Sequence, residues 1–168
     1  MNTEPSRKSK LPWGKKGEYL VVLQFVLLLT FLLLPVYPSY SGFKLIKTLT
    51  FMRWTMLTVC WVTAFLFGTL GLFQIKHFLT PLPYPVDHNQ LVTTGIYALV
   101  RHPLYSSLIV SAFGWAVFQI SFSHLLMTGI VFLFFSYKTS WEEVWLTELH
   151  PEYSDYTRHV KKFIPWIY

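Results

Sequence analysis

The chain has 168 residues, of which 53% are hydrophobic, 19% aromatic and only 13% charged, with a formal net charge of +6. Soluble domains carry about 25% charged residues, so this composition excludes an ordinary soluble globule and places the chain in the membrane class. The positive balance fits attraction to anionic lipid at one membrane face, and no nucleic-acid motif accompanies it.

Residues 1–17 are basic and punctuated by Pro5, Pro12, Gly14 and Gly17, which predicts a mobile lead-in to a single membrane-embedded domain over 18–168. The windows 19–38 and 54–73 contain no Lys, Arg, Asp or Glu and predict two membrane-spanning helices. A cleaved signal peptide competes for the first window, but the run is span-length and lacks a convincing small-residue cleavage site. Cys60, the lone cysteine, falls inside the second window and reads as a buried, inert thiol.

From Leu104 to Tyr137 there is no formal charge. As one helix this stretch would be roughly 50 Å long, against a hydrocarbon core of about 30 Å. The polar cluster Gln119, Ser121, Ser123 and His124 lies midway, so a tight turn is expected there, with spans over about 103–120 and 123–140. His124 is then a solvated loop residue. The predicted fold is all-α, with four spans ending in a helical hairpin.

Arg7, Lys8, Lys10, Lys15, Lys16, Lys76, Arg101, Lys138, Arg158, Lys161 and Lys162 fall on one side of these spans, and only Lys44, Lys47 and Arg53 on the other. The positive-inside rule therefore puts both termini and the Ile75–Pro103 segment in the cytoplasm. That segment carries Pro81, Pro83, Pro85, Asp87, His88, Asn89, Gln90 and Gly95, a composition for a shaped loop. Pro103 disfavours helix at His102 and suits the first helical turn, so Arg101 and His102 should stand at the mouth of the third span. Lys138 and Glu142 are four apart, as are Trp141 and Trp145, so the fourth helix can continue past the bilayer with a charged and an aromatic stripe. An antiparallel hairpin would set Arg101–Tyr105 beside Lys138–Trp145.

Charged residues at a membrane boundary are costly unless they bind something, which makes these two stretches one candidate site. Arg101 offers a planar fork for a carboxylate, its plainer role being a snorkelling juxtamembrane cation. His102 can donate a hydrogen bond or act as a base, or simply satisfy backbone groups at a helix entry. Glu142 and Glu143 are adjacent on a helix and are not expected to face one point. Glu142 is assigned to the ligand and Glu143 to support or to an acceptor site, the alternative being an acidic pair on a solvated face. Tyr97 and Tyr105 are candidates for ligand stacking, whereas Trp141 and Trp145 read as an interfacial belt. His77, His88, His124, His150 and His159 lack metal-ligand spacing, so no metal is expected.

The series Leu91-Val92-Thr93-Thr94-Gly95-Ile96-Tyr97, Arg101-His102-Pro103-Leu104-Tyr105, Glu142-Glu143 with Leu146, Pro151-Glu152-Tyr153 with Tyr156, and Ile164-Pro165-Trp166 resembles a known pattern. In order and spacing it is similar to the integral-membrane methyltransferases that include isoprenylcysteine carboxyl methyltransferases and bacterial phospholipid methyltransferases. The resemblance runs from about Pro81 onward. It implies S-adenosyl-L-methionine bound at the cytoplasmic end of the hairpin, and a lipid, lipidated or other hydrophobic acceptor entering from the bilayer. Carried over by position, cofactor contacts fall on Asn89, Gln90, Leu91, Val92, Tyr97, His102, Pro103, Leu104, Tyr105 and Glu142. Catalytic roles fall on Arg101, His102 and Glu143, and substrate contacts on Lys138 and Arg101. Lys138 stands where eukaryotic members have an arginine, and the His150-Pro151 pair resembles the shorter bacterial form. Two rival readings are a nicotinamide-dependent, sterol-reductase-like membrane enzyme and a non-catalytic membrane scaffold.

Overall fold

The computed structural model describes residues 17–37, 49–76 and 91–168. The predicted lead-in, the loop carrying Lys44 and Lys47, and the stretch with Asn89 and Gln90 lie outside the described residues. Among the described residues the fold is all-helical: α1 (Glu18–Leu33), α2 (Thr50–Ile75), a 3₁₀ turn (Gly95–Ala98), α3 (Pro103–Gln119), α4 (Phe122–Leu149) and α5 (Tyr153–His159).

Helix α1 stops at Leu33, short of the expected 38, because Pro35 drives Leu34 into extended geometry (φ −66°, ψ 130°). Its inward stripe, Leu20, Leu27, Phe31 and Leu34, joins a core with Ile109 of α3 and Met127, Val131, Phe134 and Phe135 of α4. Helix α2 begins at Thr50, four residues before the expected start. Arg53 is therefore helical rather than in a loop. Its Nε donates to the Phe118 carbonyl at 2.6 Å, where the exposed carbonyls at the end of α3 favour a cation.

Among the described residues α2 is the one helix long and apolar enough to cross a membrane, with a mean hydropathy of 1.9 over an 18-residue window. Only 22% of that window is buried within the protein. Phe51, Phe65 and Phe73 point outward, a surface that apolar solvent accommodates and water does not. The inward seam of α2 joins Leu57 to the small residues Cys60, Ala64 and Gly71. A Cβ on Gly71 would sit 2.9 Å from Cγ of Pro103, and one on Gly114 of α3 would sit 2.6 Å from Cβ of Cys60. This is how helices approach closely where a hydrophobic drive between them is weak. Cys60 is buried in that seam, as expected.

The predicted turn falls where it was placed. Ile120 adopts left-handed geometry (φ 49°) and donates to the Ala116 and Val117 carbonyls, closing α3. Ser121 then caps α4 by accepting from the His124 N–H. His124 is not solvated: it is 3% exposed, its Nδ1 is 2.8 Å from Ser121 Oγ, and the edge of Phe31 packs on its ring. The end of α1 is strapped to the same turn, with Phe122 N–H donating to the Tyr37 carbonyl and Ser123 Oγ to the Pro35 carbonyl. A loop would have wetted His124; the strap from α1 covers it instead.

Helix α4 runs unbroken for 28 residues. Its buried stripe is His124, Met127, Thr128, Val131, Phe134, Phe135, Lys138, Thr139 and Glu142, so the period that buries the core also turns Lys138 and Glu142 inward.

Candidate active site

The open end of the α3–α4 hairpin is where the charged residues meet. The backbone there is fixed by a short parallel pairing of Val100 with Lys161. Arg101 N–H donates to the Lys161 carbonyl and His102 N–H to the Lys162 carbonyl, at 2.8 and 3.1 Å. Ser106 Oγ donates to the Phe163 carbonyl, and the Tyr156 hydroxyl to the Tyr97 carbonyl. The chain after α5 thus clamps the mouth of α3. Gly95 opens this segment with a left-handed φ of 61°, a conformation that strains other residues, and lies against the side-chain amide of Gln74 of α2.

On this platform Tyr105 donates to Glu142 Oε1 at 2.7 Å. His102 Nε2 lies 2.9 Å from Glu143 Oε1, and its Nδ1 lies 3.7 Å from Glu142 Oε2. The two carboxylates do not face one point: Glu142 meets Tyr105, while its neighbour Glu143 pairs with the basic residues Arg101 and Lys162. They diverge around α4, yet the imidazole lies across the helix and offers a nitrogen to each. Arg101 pairs with Glu143 through Nε and NH2, at 3.0 and 2.9 Å, and NH1 donates to the Thr157 and Val160 carbonyls. Lys162 lies 3.3 Å from the other Glu143 oxygen. Lys138, 1% exposed, donates to Gln24 Oε1 of α1 at 2.6 Å, stands 5.0 Å over the Tyr105 ring and is 3.8 Å from Glu142.

The two carboxylates have opposite electrostatics. Burial raises the proton affinity of Glu143, but His102, Arg101 and Lys162 outweigh it and hold the group at about 2. Glu142 is pushed up by burial, with His102, Lys138 and the Tyr105 hydrogen bond offsetting only part of it. Glu143 is consequently a fixed anion, and Glu142 is a carboxyl group whose ionised form a positively charged ligand would stabilise.

The structure brings together Arg101, His102, Tyr105, Lys138, Glu142 and Glu143 from the expected residues. Tyr97 is buried in the adjoining 3₁₀ turn, where burial raises its phenol, while Leu91 and Val92 are half-buried in the irregular segment before it. The side chains of Pro103 and Leu104 approach α2 at Gly71. Trp141 is exposed beside Trp145, consistent with a belt. Sequence reasoning missed Gln24 as a member. The available signal was a lone amide in the apolar run of α1, four residues after buried Leu20 and so on its inward face. Sharing Arg101 and Glu143 with the cluster, an open groove of about 700 Å³ runs on along Ser140, Thr147, Ser154 and Thr157.

A family model described as phospholipid methyltransferase matches residues 52–153, which hold α2 from its third residue on, the hairpin and every residue of this cluster except Gln24 and Lys162. The chain belongs to the phospholipid methyltransferase family. It is 34% identical over 83 residues to a probable protein-S-isoprenylcysteine O-methyltransferase of Oryza sativa subsp. indica, covering 48% of this chain and 44% of that one. It is 39% identical over 83 residues to protein-S-isoprenylcysteine O-methyltransferase of Schizosaccharomyces pombe, covering 48% and 35%. It is also 28% identical over 130 residues to methanethiol S-methyltransferase of Pseudomonas deceptionensis, covering 76% and 47%. The matches span less than half the length of each of these relatives. All three relatives carry methyltransferase names, the rice protein as a probable one.

Proposed function

We propose that this protein transfers a methyl group from S-adenosyl-L-methionine to a carboxylate or amine of a hydrophobic, membrane-resident acceptor, at the cytoplasmic face of a four-span fold. The observation that carries the reading is the Tyr105–Glu142 hydrogen bond with His102 laid between two carboxylates, in a chain whose relatives move methyl groups. It joins residues 37 apart in sequence at one end of the hairpin.

S-adenosylmethionine presents an ammonium, a carboxylate, a sulfonium and an adenine, and the residues present suit the two cationic groups and the adenine. Glu142 Oε2 has only the 3.7 Å approach of His102 and retains lone pairs for an ammonium. Gln74 Oε1 is a buried acceptor without a hydrogen-bond partner among the described residues, beside Gly95. Tyr105 and Tyr97 supply aromatic surface for a cation or an adenine. The cofactor, when bound, supplies an electrophilic methyl group.

The protein's task is then to hold donor and acceptor in line and to keep water away, and such positioning accounts for much of the rate of a displacement. Glu142 and Tyr105 bind, and His102 orients Glu142 or takes a proton at Nδ1 when the acceptor is an amine. Arg101 and Glu143 are bound to each other, so they act first by fixing His102. Arg101 reaches an external carboxylate only by exchanging Glu143 for it. Lys138, at the membrane side of Glu142, faces the acceptor.

Isothermal titration of the purified chain with S-adenosylmethionine or its demethylated product tests the reading. Saturable heat at micromolar ligand is expected, and none at millimolar concentration overturns it. Labelled methyl donor incubated with membranes then shows whether lipid or protein becomes labelled.

A further inference from the structure

We infer that Gln24 of α1 is a positioning residue for the methyl-transfer site, acting by aiming the Lys138 ammonium at the acceptor side of Glu142; this rests on the function proposed above. Three observations carry it. First, Gln24 Oε1 accepts from Lys138 Nζ at 2.6 Å, while the neighbouring carboxylate of Glu142 is 3.8 Å away, beyond hydrogen-bond reach. A buried ammonium that leans on a neutral amide in preference to an adjacent carboxylate has its direction set by the amide. Second, Gln24 lies on the stripe Leu20, Leu27, Phe31 and Leu34, whose other members are apolar and packed on the core. The other polar residue deep in that run, Thr30, is exposed and turned back on the Val26 carbonyl of its own helix. An uncharged amide facing inward from an apolar helix is expensive and needs a partner, and Lys138 is that partner. Third, the family model begins at residue 52, so this contact is made by a helix outside the matched segment. The reaction chemistry resides on the hairpin, and α1 reaches it through this hydrogen bond.

Holding Lys138 on Gln24 keeps the ammonium over the Tyr105 ring and holds its ion pair with Glu142 open at 3.8 Å. Were the amide lost, the lysine would close on Glu142 Oε1 and withdraw the cation from the acceptor side, leaving Oε2 to the cofactor. Gln24 therefore governs transfer, and cofactor binding only weakly.

The test is a double-mutant cycle on the full chain in lipid nanodiscs, with Gln24→Leu, Lys138→Met and the pair. Tritium transfer from S-adenosylmethionine to the endogenous membrane acceptor fraction and cofactor binding are read separately. Gln24→Leu is expected to lower transfer about tenfold with less than a threefold change in cofactor Kd, and the double variant to be no worse than Lys138→Met alone. Gln24→Glu, which keeps an oxygen at the same reach, should recover most of the loss. Independent, multiplying effects of Gln24→Leu and Lys138→Met overturn the inference, as does equal impairment of Gln24→Leu and Gln24→Glu. If the wild type neither binds nor uses the cofactor, the functional reading fails, and the same cycle on thermal unfolding still decides whether the two side chains are coupled.

Discussion

The α3–α4 hairpin has a buried histidine at each end, and the two are placed for different work. At the turn, His124 meets a serine hydroxyl and the edge of Phe31, with Tyr37 and Pro35 supplying backbone partners to the same cluster. Every group there is neutral, and the network ties the end of α1 to the hairpin. At the open end, His102 lies between two carboxylates, which also face Arg101, Lys138 and Lys162. Charges of both signs, buried or half-buried, are a costly way to fasten two helices, since apolar residues of similar volume serve as well or better. The groups at the turn are spent on one another; the ionic end keeps a carboxylate oxygen, Glu142 Oε2, for a ligand.

The sharpest way to break this comparison is to truncate each histidine. His102→Ala is expected to lower methyl transfer by about 10²- to 10⁴-fold, the range for a positioned catalytic or orienting group, whereas His124→Ala should lower stability and leave the rate of the folded fraction near wild type. Radiolabel transfer normalised to folded protein separates them, and equal losses at the two ends would dissolve the distinction.

Next in size is Glu143→Ala, which strips Arg101 and Lys162 of their shared anion. Removing one partner of a buried network costs about 3–5 kcal/mol, readable from unfolding in mixed detergent. Acid sharpens the point. The Glu143 carboxyl is held at about 2, below the ordinary 4.5, so its stabilisation is complete above pH 4.5 and is lost as pH falls toward 2. Glu142 has the opposite sign: its proton affinity is raised, so its contribution is present at low pH and lost as pH rises through its folded value. The wild type should therefore lose stability between pH 4.5 and 2 more steeply than Glu143→Gln, with the difference between the two curves isolating Glu143.

The smallest expected effect is at the turn. Ser121→Ala removes the cap of α4 and the partner of His124, costing about 1–2 kcal/mol, with cofactor affinity unchanged in titration.

Much of this architecture was legible before any coordinates. The uncharged windows marked the helices, Pro103 marked the start of α3, and the polar cluster at Gln119–His124 marked the turn, because proline geometry and the cost of buried charge act locally along the chain. The i, i+4 spacing of Lys138 and Glu142 put both on one face. Residues at element ends were less readable: Arg53 entered α2, and α1 ended early at Pro35.

What the linear pattern could not reveal were relations across helices. Adjacent glutamates diverge on a helix, so their convergence on His102 depends on how α3 lies over α4. The burial of His124 depends on a strap from the end of α1, and the role of Gln24 on which lysine faces it. Sequence alone determined which segments are helical and where charge interrupts them, since those follow from local sterics and from the transfer cost of each residue. Only the tertiary structure decided which charges share a pocket, because a hydrogen bond between residues 37 or 114 apart is set by helix packing to within an ångström, and no spacing along the chain encodes that distance.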